Sequence, residues 1–352
     1  MKIDNISQSI PDDRDFSYVP TTRPLPKSLD LKPRVHEIED QGAIGSCTCN
    51  SSVSALEMLK PASYSRLFAY WQTRNVVEDR AGQEGASLRD AIRSHYHYGV
   101  PLEMLWPYDP AQVNVRPGQD AYTDAFFRKV TRYEAIDCSN TGTSDAQDKI
   151  RAAIKSALNE GLPVVVATRV GKALYNLKGP WQTHSMPPVE YGVIRNGNTW
   201  IGNHATLIVG YDDSSKNFLV QNSWGADWGD GGFFGYQYWA LGTDIMEAWV
   251  IRGFQDVLIT PPAPLPTYIH DPAEVVRWYR KVWRTDVDET DSGVLYWAND
   301  PAAPRSFYGT WRDEVQKKCQ ELLDQLDQSV VTPPPTTTDD STSRARGPSS
   351  TL

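Results

Sequence analysis

QGAIGSCTCNSSVSALEML, residues 41–59, sets two cysteines where a glycine- and serine-rich loop turns into a helical apolar pattern. On a helix, Cys49, Val53 and Leu56 share one apolar stripe, whereas Cys47 falls in the first turn on the opposite side. Helical residues two positions apart point about 200° from each other, so the two thiols are not placed to bridge. Cys49 reads as core, because a free cysteine is among the most buried residue types. Cys47 has a different setting. A helix N-terminus carries a partial positive charge that stabilises a thiolate, and Gly42 and Gly45 let the preceding loop approach a substrate closely. A second structural cysteine is the competing reading of the same segment.

A nucleophilic thiol needs a base within hydrogen-bond reach, and the base needs a group to orient it. Of the six histidines, His95 and His97 sit in a helical segment, His184 and His270 in loops, and His36 in the chain leading up to the Cys47 loop. These five read as solvated or hydrogen-bonded side chains, and their spacing does not suggest a metal site. His204 differs. It opens the strand pattern of NHATLIVGYD (203–212), and the next strand carries Asn222 in QNSWG. Facing residues on adjacent antiparallel strands lie about 5 Å apart, so the carboxamide of Asn222 is expected to accept the imidazole N–H. Trp224 is placed to shield that bond from water.

The chain has 352 residues, 40% of them hydrophobic and 11% aromatic, which fits one large domain with an appendage. A net charge of −9 argues against a general nucleic-acid binder, which needs a basic face. No stretch approaches the ~20 apolar residues of a membrane span. The first eighteen residues lack the apolar core of a secretory signal. Four cysteines in this length are not a disulfide framework, which points to a cytoplasmic or virion setting.

Residues 1–24 are polar and proline-punctuated and read as an extended arm. Helical patterns follow at 47–60, 63–78, 87–98 and 145–160, the last capped by Thr143-Ser144-Asp145 and ended by Gly161. Strand patterns then run at 162–170, 205–213, 217–225, 231–238 and 246–254. Helices first and antiparallel strands after make an α+β domain over 25–255. Residues 256–268, with four prolines, form a linker; 269–328 is a short, Trp-rich helical module; 329–352 is a Pro/Thr/Ser-rich tail expected to be disordered alone.

QGAIGSC (41–47), NHATLIVGYD (203–212) and NSWGADWGDGGFFGY (222–236), in that order, resemble the papain-like cysteine peptidases, most closely the bacterial and viral members with a short arm in place of a long propeptide. GASLRDAIRSHYHYGVPLEMLWPYD (85–109) resembles the family's stretch after its substrate-binding glycines. The likeness covers roughly residues 25–255. It implies a two-lobed fold, a helical lobe against an antiparallel β lobe. It implies Cys47 as nucleophile, His204 as base, Asn222 as the group that orients His204, and Gln41 as an oxyanion donor together with the Cys47 amide. It further implies peptide binding near Gly85 and Ala86, a specificity pocket lined by Ala86 and Ala205, Trp224 over the His–Asn contact, and no metal or cofactor.

The chain departs from the family pattern in several places. Thr48 stands where an aromatic usually follows the nucleophile, Ile44 stands where the family has a disulfide cysteine, Ala86 replaces a cleft glycine, and Asn203 precedes the histidine. Without a long propeptide, latency has to come from the first 30 residues, the C-terminal unit or a partner. The insert at 171–200 falls just before His204 and is a second candidate to cover the cleft. The unit at 275–298 resembles a small helical module of bacterial surface and phage proteins and reads as a docking element. Within it, DVDETDSG (286–293) resembles a calcium loop but has Asp291 at the sixth position and Trp297 at the twelfth, so a capped helix–helix turn is favoured. The function expected is a thiol endopeptidase acting on protein or peptide. The alternatives are a latent or non-catalytic component of a phage or virion assembly, or a cell-wall-directed peptidase carried by such a particle.

Overall fold

In a computed structural model, residues 15–139, 141–187 and 199–256 are described, together with Ile6, Ser9 and Asp12. The chain divides at Pro261/Pro262, and the described residues belong to the first unit. The linker, the helical module with its DVDETDSG turn, and the tail lie outside them.

The stretch 41–59 supplies α1, Cys47–Leu59, buried on every side from Cys47 to Met58. The expected division between a core stripe and an outer face is therefore absent, and Cys47 is as buried as Cys49. Small side chains make this tolerable. Ser51 and Ser52 return their hydroxyls to the helix carbonyls of Cys47 and Cys49, so burial leaves them satisfied. Two further helices pack against α1: α2 (Arg66–Gln72), which runs on into a π-helical turn at Thr73–Val77, and α3 (Leu88–His97). Both start at serines, Ser65 and Ser87, whose side chains accept the amides of Phe68 and Asp90.

The opposite layer is a sheet. Its strands are β1 (Ser28–Asp30), β2 (Arg128–Ile136), β3 (Val164–Gly171), β4 (Ser185–Met186), β5 (Trp200–Asp212), β6 (Asn217–Gln221), β7 (Phe233–Gln237) and β8 (Ile245–Asp256). The order is β2-β8-β3-β5-β6-β7-β4, with β1 on β5, and every pairing except β4–β7 is antiparallel. β5 is the central element: it crosses α1 on one side and bulges between Ile208 and Gly210, where a side chain on Gly210 would stand 2.5 Å from the Leu29 carbonyl. Helices α4 (Gln119–Phe126), α5 (Ser144–Asn159) and α6 (Tyr238–Asp244) complete the unit. Helical layer against antiparallel sheet is the two-lobed α+β arrangement the motifs imply.

Five elements escape the sequence patterns: the short strands β1 and β4, and α4, β2 and α6. β2 hides because its buried positions include charges. Arg128 pairs with Asp124 and Asp256, and Glu134 with Arg132 and Arg252, so a strand reads as a polar segment. The strand predicted at 217–225 stops at Gln221, after which Gly225, Gly229, Gly231 and Gly232 turn the chain at positive φ. The arm is packed on the body. Ser17 bridges Ala135 on β2, and the Tyr18 hydroxyl donates to Glu160 at 2.6 Å.

Candidate active site

Cys47 is the first residue of α1, so its amide and thiol sit at the positive end of that helix, and it is 1% exposed. Gly42 turns the preceding loop at φ +62°, and the Asp40 carboxylate caps its amide at 2.9 Å. The loop is stitched to the segment after β6: the Gln41 amide donates to the Ser223 carbonyl (2.8 Å), the Gly225 amide to the Glu39 carbonyl (2.9 Å), and Asp40 pairs with Trp224. The Gln41 side chain is held at both ends, its Oε1 accepting from Ser223 Oγ at 2.7 Å and its Nε2 donating to the Ile44 carbonyl at 3.1 Å.

His204 lies on β5, fully buried, opposite Thr168 of β3. Its Nε2 donates to Asn222 Oδ1 at 2.8 Å, and the Ser223 amide donates to the same oxygen at 2.9 Å. Asn222 is not a facing residue in the β5–β6 ladder, as the sequence suggested; that ladder begins at Leu207–Gln221. Asn222 stands one residue beyond it, held by its amide on the Gly232 carbonyl at 2.9 Å. The bond to Nε2 fixes the tautomer: Nε2 carries the proton, and Nδ1, which has no hydrogen-bond partner among the described residues, keeps its lone pair. Burial holds the imidazole neutral, lowering its pKa to about 4 against the opposing effect of the Asn222 bond. The Trp224 ring lies 5.1 Å from that of His204, tilted by 30°.

The remaining sequence candidates have the following partners. Ala205 is buried and opposes Ala167. Gly85, at φ +77°, donates its amide to the Tyr70 hydroxyl at 2.9 Å, and buried Ala86 leads into the Ser87 cap of α3. Cys49 is core, its thiol pushed up to about 12 by burial. His95 is buried against Ser52 Oγ at 2.8 Å and kept neutral by burial; His36 meets Ser63, and His184 meets Thr183. His270 lies outside the described residues. Among those residues no cluster of three or more His, Cys, Asp or Glu could hold a metal ion, and no helix is long and apolar enough to cross a membrane.

Two groups at the site were not picked out from the sequence, and a third was named only as a source of latency. Tyr108 donates to the Gln41 carbonyl at 3.0 Å and bonds Ser46 Oγ at 2.5 Å, tying the loop to the head of α1. Arg66 reaches Glu39 (2.9 Å) and Asn50 (2.8 Å) and lies over the Tyr108 ring. Burial pushes the Glu39 carboxyl up to about 7, with Arg66 opposing. The third group is the arm. Asn203, beside His204, donates its side-chain N–H to the carbonyl of buried Ile6 at 3.2 Å. Ser9 accepts the Arg89 amide and bonds Glu247. The Arg89 guanidinium grips Asp15 by two bonds of 2.7 and 2.8 Å and Asp12 at 2.9 Å. Only the family likeness of the 85–109 stretch hinted at Tyr108; nothing local pairs Arg89 with the arm.

With this geometry in hand, comparison with known proteins is specific. The model of the papain family cysteine protease matches residues 25–240. An uncharacterised peptidase C1-like protein of Acanthamoeba polyphaga mimivirus is 32% identical over 247 residues, 67% of this chain and 75% of that protein. A viral cathepsin of Orgyia pseudotsugata multicapsid polyhedrosis virus is 24% identical over 209 residues, and the match spans 56% of its length. The crystal structure of xylellain, a cysteine protease from Xylella fastidiosa, superposes with a TM-score of 0.59 at 28% identity, over 72% of this chain and 96% of that one.

Proposed function

Because the chain belongs to the papain family of cysteine proteases, we propose that residues 25–255 hydrolyse peptide bonds through Cys47, His204, Asn222 and Gln41. The observation that carries this reading is the 2.8 Å Nε2–Oδ1 bond, which aims the lone pair of Nδ1 away from Asn222 and leaves it for a thiol proton. Cys47 Sγ gives its proton to Nδ1 and attacks the substrate carbonyl carbon. The oxyanion is received by the Cys47 amide and the Gln41 carboxamide N–H. Nδ1–H then protonates the departing amine, the C–N bond breaks, and a thioester remains. Water, giving its proton to Nδ1, adds to the thioester, and the thiol is expelled with the acid product. Asn222 Oδ1 keeps the ring in one tautomer throughout, and Trp224 keeps water from that bond. Gly85, Ala86 and Ala205 take the acyl side of the peptide.

This structure is the closed form in our reading. Cys47 and His204 are 1% and 0% exposed, and Ile6 of the arm accepts from Asn203, the residue before His204, while Asp12 and Asp15 pair with Arg89. Latency thus lies in the first residues, and the arm departs before substrate enters. The mimivirus and polyhedrosis-virus relatives support virion association as the setting.

The test is alkylation of the full chain by iodoacetamide at neutral pH, located by peptide mass. One adduct is expected at Cys47, absent in Cys47→Ala and slowed at least tenfold in His204→Ala. Equal labelling of Cys49 and Cys47, indifferent to His204, overturns the reading.

A further inference from the structure

We propose that Tyr175 is the wall on the leaving-group side of the site and selects aromatic side chains in the residue after the scissile bond. The inference rests on the Cys47–His204 reading above. Nδ1 of His204 must hand its proton to the departing amine, so the peptide leaving with that amine passes on the His204 side and meets whatever covers His204. The neighbouring aromatic is Trp224, but it is only 4% exposed and offers substrate almost nothing. The Tyr175 ring stacks on it, centroids 5.6 Å apart and planes within 12°, while Trp228 closes its edge at 5.2 Å and 82°. Tyr175 itself is 39% exposed. The solvent-facing layer of the aromatic stack that starts at the imidazole is therefore a phenol, with the indole beneath it.

The phenol is held in place. It belongs to a 3-10 turn, Lys172–Asn176, that leaves β3 and is anchored by fully buried Leu174. The Lys172 amide donates to the Thr199 carbonyl at 3.0 Å before the turn, and Lys178 bridges Gly229 after it. A ring fixed at both ends, backed by a second ring and half open to solvent, is a stacking platform. Its chemistry chooses among flat partners. Exposed Lys172 and Lys178 lie three positions before and after it in the chain, so the turn carries positive charge that disfavours a cationic side chain and leaves a neutral aromatic unaffected. Stacking of this kind is worth about a two- to tenfold preference.

Quenched fluorescent peptides that differ only after the scissile bond (Phe, Trp, Arg, Ala or Gly) test the proposal. In the wild-type chain, kcat/KM with Phe or Trp is expected to exceed that with Ala or Arg about two- to tenfold. Tyr175→Phe keeps that ratio, and Tyr175→Ala brings it to about one, carried mainly by KM. His204-dependent alkylation of Cys47 is read in the same variants. A ratio that survives in Tyr175→Ala, or no preference in the wild type, overturns the proposal. Loss of His204-dependent alkylation in Tyr175→Ala overturns it too, because Tyr175 is then a prop for Trp224. A wild-type chain without that alkylation brings down the catalytic reading itself, a distinct result.

Discussion

Replacing Arg89 by Met cuts the ionic clasp of the arm while keeping the aliphatic stem that packs at the head of α3. The guanidinium is 9% exposed, and its partners Asp15 and Asp12 are 13% and 18% exposed. Such a pair lies between two limits: exposed ion pairs contribute about 0–1 kcal/mol, and breaking a fully buried one costs about 3–5 kcal/mol. Both carboxylates can rehydrate once the arm lifts, so a loss of about 2 kcal/mol is the appropriate middle. At about 1.4 kcal/mol per factor of ten, the open form gains roughly 30-fold in population. Burial of Ile6, worth about 1.5–3 kcal/mol, still favours the closed form. If alkylation proceeds only from the open form, the rate of iodoacetamide addition to Cys47 in Arg89→Met rises by about the same 30-fold factor. The assay is intact-mass kinetics at pH 7, with circular dichroism and thermal melting to show that the body is intact. A wild-type rate in a folded Arg89→Met protein refutes the assignment of the arm as the closing element.

Other perturbations read other parts of the site. Asn222→Ala removes the only acceptor assigned to His204 Nε2; kcat/KM is expected to fall at least tenfold, with about 1–3 kcal/mol lost from the urea-unfolding free energy because a buried N–H is orphaned. Tyr108→Phe frees the Gln41 carbonyl and Ser46 Oγ together; steady-state kinetics should show kcat down about three- to tenfold with KM little changed, the mark of a loosened oxyanion donor. His95 tests acid sensitivity. Burial lowers its pKa to about 3 from the ordinary 6.5, so between those values the folded state binds fewer protons than the unfolded one and stability falls as pH falls. From pH 6.5 to 5 this amounts to about 2 kcal/mol. His95→Gln, which retains a partner for Ser52, should therefore lose that much less stability in urea titrations at pH 5 relative to pH 7.5; equal losses in both proteins refute the assignment.

What the sequence made legible was local. Gly42, Ser46 and Cys47 announce a loop entering a helix, and His204 announces itself as the one histidine opening a strong strand. The misreading of Asn222 has a physical cause: NFLVQNSWG is apolar enough to continue as a strand, and only the glycines at 225–232 end the ladder at Gln221. β2 was missed because charge compensation lets Arg128 and Glu134 be buried, and the partners that neutralise Glu134, Arg132 and Arg252, include one 118 positions away. The arm was legible as extended and as a candidate for latency, but its partners on the body were not. Arg89 reads as a solvated helix residue until its partner Asp15, 74 positions earlier, is brought beside it.

The proposed proton transfer requires the helical layer and the sheet to keep a fine register. Cys47 rides on the helical layer and His204 on the sheet, and side-chain packing alone would let one slide on the other. The short pairing of Glu39, Asp40 and Gln41 with Ser223, Trp224 and Gly225 prevents this, because it joins the Gln41 loop directly to the segment that carries Asn222. From Glu39 the connection returns through Arg66 to Asn50, and Asn50 Nδ2 bonds Ser46 Oγ at 2.8 Å, one residue before Cys47. Each proposed catalytic group is thus bonded into one closed circuit of backbone and side-chain contacts. A substitution at Arg66 should therefore disturb Gln41 and the head of α1 together, and double-mutant cycles between Arg66 and Ser223, which do not touch in any assigned bond, should be non-additive in kcat.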